Sequence, residues 1–207
     1  MATLQYEPGR GLGPIDFGAR RDDVLSLLGE PRSRLSFGGE EPLPGQLGDV
    51  LDASGKSGLR EHLAETYRGQ VTDIYNEGDI DEDREPGRYD YASNVTYVNG
   101  TVSKIESLDC ADAILLDGID LCGEDTFEVI LAVHARSPKV YYDGDLFFFP
   151  DLGVILAEDP DRQRYVGFTD GRSEATLIAD GTYEEMTPEE FEAYFDDDGF
   201  EDDEGRE

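Results

Sequence analysis

The chain has 207 residues, of which 49 are Asp or Glu and 17 are Lys or Arg, for a formal charge of -32. This balance argues against nucleic-acid binding, because phosphate recognition starts from a basic patch. No stretch approaches the roughly 20 apolar residues of a membrane span, and "MATLQYEPGRGLG" lacks a basic region followed by an apolar one, so neither a membrane helix nor a secretory signal is expected.

In chain order, the first predicted helix lies in "GPIDFGARRDDVLSLLGEP", which begins at Gly13. Val24, Leu25, Leu27 and Leu28 have the spacing of one buried face, and Gly29 and Pro31 stop the helix. An insertion follows from Arg32 to Leu63, rich in Gly, Pro and Ser, and is expected to be mobile. It contains Gly55-Lys56-Ser57, the end of a phosphate-binding loop. The glycine such a loop needs five residues earlier is replaced by Val50, so no nucleotide site is expected.

Three strand-like segments come next: Glu65 to Tyr75, Tyr89 to Val98, and Thr101 to Leu108. Asn99-Gly100 between the last two is a strong hairpin signal, since both positions tolerate positive φ. Between the first two, "DIDEDREPGRYD" puts Asp79, Asp81 and Asp83 at positions 1, 3 and 5 of a calcium loop, with Asp90 at position 12. Arg84 stands where the sharp turn needs glycine, and Pro86 removes a backbone donor. These departures favour a weakly cation-condensing acidic loop over a specific calcium site.

The motif then recurs as "DGIDLCGEDTFEVILAVHARSP", beginning at Asp117. Phe127, Ile130, Leu131 and His134 form the inward stripe of a second helix, which Pro138 ends. Four strands are expected after it, over 139–142, 146–149, 153–157 and 164–168, with turns at "PDLG" and "EDPDRQ". A last helix starts at Thr187, with Pro188 in its first turn and Glu190 completing a capping box. Phe191, Tyr194 and Phe195 share its docking face. Beyond Asp196 an acidic tail is expected to be solvated. Without that tail, -25 of the -32 charges remain on the body.

The predicted architecture is therefore α+β. It has two tandem modules, each a helix packed on an antiparallel β-meander, with a short C-terminal helix and a disordered acidic tail. The boundaries are 1–110 for the first module, carrying the mobile insertion 32–63; 111–195 for the second, with the C-terminal helix; and 196–207 for the tail.

Side chains that carry chemistry are few. His134 falls in an amphipathic helix, where a core or boundary role is the simpler reading, and nothing singles out His62. No G-x-S-x-G elbow and no zinc-ligand spacing occur. Cys110 and Cys122 are too few for a disulfide framework, and are read as buried, reduced and inert in a cytoplasmic protein. No catalytic residue, cofactor or metal site is assigned, although 49 acids leave many carboxylate pairs open.

"GPIDFGARRDDVLSLLGEP" resembles a recurring bacterial pattern that opens small helix-plus-meander modules. Tandem copies are similar in outline to the beta-lactamase inhibitory proteins. "YDYASNVTYVNGTVSKIESL", "LLDGIDLCGEDTFEVI" and "PDLGVILAED" extend the likeness, over roughly Leu12 to Phe168, to uncharacterised immunity-type proteins found beside polymorphic toxins. The resemblance implies a non-enzymatic binding protein, in its specific form an immunity protein neutralising a basic toxin.

The expected function is thus an acidic binding protein whose partner is a basic protein. Tyr75, Asp79, Asp81, Asp83, Tyr89 and Tyr91 are the candidate partner-binding residues, with charge speeding encounter and aromatics supplying affinity. Two alternatives stay open. One is a halophilic cytoplasmic protein whose acidity serves solubility. The other is a divalent-cation-dependent hydrolase.

Overall fold

The computed structural model describes residues 3–37, 69–75, 92–108, 113–123, 125–157, 165–179 and 181–196. Within them the chain is α+β and mostly sheet, with fourteen strands in two sheets and four helices. The smaller sheet has the order β3-β2-β1-β8-β9. Its strands are β1 (Thr3–Glu7), β2 (Gly11–Leu12), β3 (Ile15–Asp16), β8 (Ala113–Leu116) and β9 (Ile119–Asp120). β1 and β8 run parallel, with Leu4 opposite Ile114.

The larger sheet is antiparallel throughout. It contains β4 (Ser33–Phe37), β5 (Gln70–Ile74), β6 (Asn94–Val98), β7 (Thr101–Ser107), β10 (Val140–Tyr142), β11 (Leu146–Phe149), β12 (Val154–Ala157), β13 (Val166–Thr169) and β14 (Glu184–Met186). Their order is β14-β10-β11-β12-β13-β7-β6-β5-β4. Two runs of four successive strands therefore meet at β7 and β13, where Ile105 lies opposite Phe168.

Two of the expected turns form. Asn99 and Gly100 take φ of 53° and 80°, and this left-handed pair joins β6 to β7 in the twist a tight hairpin needs. "PDLG" joins β11 to β12 through Gly153, at φ 64°. A Cβ there would lie 2.1 Å from the Thr169 carbonyl oxygen, so the close approach of β12 to β13 requires glycine. β4 departs from expectation. The first residues of the presumed insertion are a strand, registered on β5 from Ser33 opposite Ile74 to Phe37 opposite Gln70. The rest of that insertion lies outside the described residues, as do the "EDPDRQ" turn and the tail beyond residue 196.

The helices are α1 (Arg21–Leu28), α2 (Thr126–His134), α3 (Ala175–Ala179) and α4 (Pro188–Asp196). α1 buries Val24 and ends at Gly29, whose N–H donates to the Leu25 carbonyl at 2.8 Å. Asp125 caps α2 by accepting from the Glu128 N–H at 3.0 Å. The inward face of α2 is Val129, Ile130 and Val133, not the stripe through Leu131, which is 44% exposed. α2 is apolar almost all round, so periodicity alone did not fix its rotation. The capping box of α4 is present: the Thr187 N–H donates to Glu190 at 2.8 Å, and the Glu190 N–H to the Thr187 hydroxyl at 3.2 Å.

One face of the large sheet carries the main core, which joins Val24, Val95 and Ile105 with Ile130, Phe147 and Phe168 in a single cluster. Tyr6 of the small sheet packs on Phe168 with ring centroids 4.4 Å apart and donates to the Leu152 carbonyl at 2.6 Å. α4 contributes Phe191, Tyr194 and Phe195 around Phe147. The opposite face holds a smaller cluster of Phe148, Ile155 and Tyr183, to which α3 adds Leu177 and Ile178. Covering on both faces explains why "LFFF" and "VILA" show no alternation of apolar and polar residues.

Candidate functional site

Two buried polar clusters and one open groove stand out. The first cluster is centred on Asp73 of β5, whose side chain is 0% exposed. Arg21, the first residue of α1, holds both carboxylate oxygens, Nε to Oδ2 at 2.7 Å and Nη2 to Oδ1 at 3.1 Å. Arg34 of β4 adds its Nε to Oδ1 at 2.9 Å. The helix start and the edge strand are thus tied to one carboxylate. Desolvation raises the Asp73 carboxyl above the usual aspartate value, against the hydrogen bond and charge of Arg34. Tyr75 and Tyr97 complete the group. Burial, with the Asp73 charge behind it, pushes the Tyr75 hydroxyl up to about 12. Burial raises Tyr97 further, with the neighbouring Tyr75 and the Asp73 charge adding to it. Both hydroxyls are buried, and neither completes a well-formed hydrogen bond.

The second cluster lies on the opposite face. A bulge at Thr96/Tyr97 pairs Thr96 with Lys104 and Tyr97 with Val102, leaving Ser103 extra. Val102 and Ile105 therefore both reach the main core, while Lys104 and Glu106 turn to the other side. The Lys104 ammonium lies 3.0 Å from Glu106 and 3.7 Å from Glu174, with side-chain exposures of 18%, 14% and 2%. The Tyr165 hydroxyl donates to Glu106 at 2.5 Å, Ser173 donates to Glu174 at 2.6 Å, and Thr169 donates to the same Glu174 oxygen. Burial pulls Lys104 down, but the charge of Glu106, with that of Glu174 behind it, outweighs burial and holds the ammonium above the ordinary lysine value. Burial pushes Glu106 up, and the Lys104 charge with the Tyr165 hydrogen bond brings it below the usual range. The result is a closed, hydrogen-bonded ion network that ties β7 to the approach to α3.

The groove lies at the far end of the large sheet, between β10, β14 and α4, with a volume of about 430 Å³. Asp143, Glu184, Glu185 and Glu190 wall it, with Tyr142 and Met186 supplying apolar surface. Glu185 reaches Lys139 at 3.8 Å, and Asp143 accepts the Leu146 N–H at 2.8 Å. β14 is the last strand of the sheet, and its two exposed glutamates also discourage edge-to-edge pairing.

Of the residues expected to bind a partner, Tyr75 belongs to the Asp73 cluster, where it is half-buried beside arginines. Asp79, Asp81, Asp83, Tyr89 and Tyr91 lie outside the described residues, as do the Gly55-Lys56-Ser57 stretch and His62. The acids of the groove were not read from sequence as a site, and Glu190 was singled out only as a helix cap. Their signal, two glutamates in a three-residue strand, is indistinguishable from surface acidity elsewhere. His134 has the boundary role expected of it. It stacks on Phe191 at 3.7 Å between ring centroids, though its Nε2 is buried without a hydrogen-bond partner. Among the described residues, no group of three or more His, Cys, Asp or Glu side chains could hold a metal ion. None of the described helices is long and apolar enough to cross a membrane.

The expectation of reduced thiols is corrected. Cys122 is buried and disulfide-bonded, and no free cysteine is present among the described residues. Disulfides persist in oxidising environments and are rare where thiols are kept reduced, so the cysteines lend no support to a cytoplasmic location. Cys122 should resist iodoacetamide in denaturant and become alkylated only after reduction, as peptide mass spectrometry would record. Alkylation without reductant would show the bond to be absent from the purified chain.

No protein-family model, curated protein or solved structure matches the chain.

Proposed function

We propose that the chain is a non-enzymatic acidic binding protein that docks a basic protein. Its scaffold would be two tandem helix-plus-meander modules sharing one sheet, and a toxin-like nuclease is the specific partner the sequence resemblance suggests. The groove at the β14 end carries this reading. Four carboxylates there surround Tyr142 and Met186, combining charge that steers a basic surface with apolar area that retains it. The buried Lys104 cluster suits a structural role better than catalysis, because its charges are spent on one another.

Affinity capture in about 20 mM and about 150 mM KCl tests the proposal, followed by direct titration of the recovered partner. The expected partner is a basic protein whose affinity falls about tenfold or more for the double variant Glu184→Lys, Glu185→Lys. Both positions are exposed, so the variant should fold normally. Capture that retains no basic protein at either salt concentration, or an affinity indifferent to the charge reversal, would sink this reading.

A further inference from the structure

The Asp73 cluster holds more donors than its acceptors can use. One carboxylate receives three N–H bonds from two guanidiniums. The bidentate Arg21 alone would neutralise it. A second arginine on the same oxygen adds cation–cation repulsion and desolvation without a second anion to offset them. Beside this pair, the hydroxyls of Tyr75 and Tyr97 are buried without a well-formed hydrogen bond. They lie near each other, and Tyr97 near Asp73, in loose geometry only, and poorly satisfied buried donors are costly enough to need an explanation.

The two arginines are also accessible, at 23% and 43% side-chain exposure. Asp73 pre-orients both forks, since Arg34 spends only its Nε on the carboxylate and keeps its terminal N–H groups for another acceptor. Arg21 is the first residue of α1, whose N-cap residue Arg20 makes no side-chain cap, so it stands at the positive end of the helix. The negative groups nearby are Asp73 itself and Glu30, which acts on Tyr75, with Asp22 and Asp23 in the first turn of α1. In a chain of charge -32, two guanidinium forks fixed on one carboxylate are a local convergence of cationic donors.

We infer that Arg21 and Arg34, fixed by Asp73 and flanked by Tyr75 and Tyr97, form a receptor for one small oxyanion, a phosphate or a carboxylate group. The anion sits on the arginine forks and offers the tyrosine hydroxyls a better-placed acceptor than they have now. The receptor lies at the β4–β6 end of the large sheet and the acidic groove at the β14 end, so the inference stands independently of the basic-partner reading.

The test titrates inorganic phosphate and, separately, acetate into the intact chain. KCl holds ionic strength constant, because added salt alone screens so acidic a protein. Calorimetry reads binding, and the arginine Nε–Hε resonances locate it. Saturable binding of phosphate or acetate is expected, and whichever ion saturates identifies the group the receptor takes. Arg34→Gln should weaken it about tenfold or more. Tyr75→Phe should weaken it less, and Arg136→Gln should leave it unchanged, since Arg136 follows α2 and donates to the Ala132 and Asp117 carbonyls, outside the cluster. If Arg34→Gln fails to fold, Arg34→Lys keeps a charge for Asp73 while removing the fork, and should still lose affinity. No saturable response to either ion, or equal affinity in wild type and the Arg34 variants, overturns the inference.

Discussion

Replacing Lys104 with Met should destabilise the fold by about 3–5 kcal/mol at pH 7, because it strands carboxylates already removed from water. For a chain of this size the melting temperature should fall by roughly 10 °C. In the wild type the folded Glu106 value is lowered and the folded Lys104 value is raised. Glu106 therefore contributes stability above its unfolded value near 4.3, which is lost as pH falls through the lower folded value. Lys104 contributes below its unfolded value near 10.4, which is lost as pH rises through the higher folded one. Without the ammonium, burial raises Glu106 against the Tyr165 hydrogen bond but no opposite charge, so the variant gains stability as acid protonates the carboxylate. The gap between wild type and Lys104→Met should consequently narrow between pH 7 and about pH 4.5. Adding Glu106→Gln to Lys104→Met should recover part of the loss at pH 7. Denaturant melts across this pH range read all three effects. A loss below about 1 kcal/mol with no narrowing in acid would mean that water reaches the network and solvates it.

Little of that network was legible in the sequence. "TVSKIES" reads as an alternating strand with its charges outward, and a bulge within the β6–β7 pair leaves no mark in composition. Nor does a strand segment announce that both its faces are covered. The cover over Lys104 and Glu106 comes from Tyr165, Ser173 and Glu174, which approach from β13 and the turn beyond it, some 60 to 70 residues later in the chain. The elements found from sequence were those fixed locally. Asn99-Gly100, the Thr187–Glu190 capping box and the glycine stop of α1 each satisfy backbone groups within a few residues. β1 and β8 were missed because their parallel pairing joins positions about 110 residues apart. β4 was missed because five strand residues run directly into a Gly- and Pro-rich stretch. The Asp73 cluster combines the two cases. Tyr75 was singled out for its place beside an acidic loop, yet the groups acting on it include Asp73, Tyr97 and Arg34, brought together by β5, β6 and β4.

The melting temperature should rise with ionic strength, by on the order of 10 °C between about 0.01 and 0.2 M KCl at pH 7. The 17 bases can pair with at most 17 of the 49 acids one to one. Several of the described bases are already committed, among them Arg10 to Glu7, Arg172 to Asp170, and Arg21 and Arg34 to Asp73. Most carboxylates therefore repel one another with no counter-charge in the chain. Folding concentrates them, so screening stabilises the folded state more than the expanded one. The shape of the curve separates two readings of the acidity. The Debye length falls from about 30 Å at 0.01 M to about 8 Å at 0.15 M and about 3 Å at 1 M. If repulsion is the whole effect, the rise is nearly complete by 0.2 M and potassium, sodium and choline chlorides give the same curve. That result fits an acidic surface kept for recognition, which loses its steering over the same range. A rise that continues steeply to 2 M, where little is left to screen, and that depends on the cation, would instead mark a chain whose carboxylates require concentrated salt. A flat curve would contradict both readings, since it would mean that the unfolded chain relieves no repulsion by expanding.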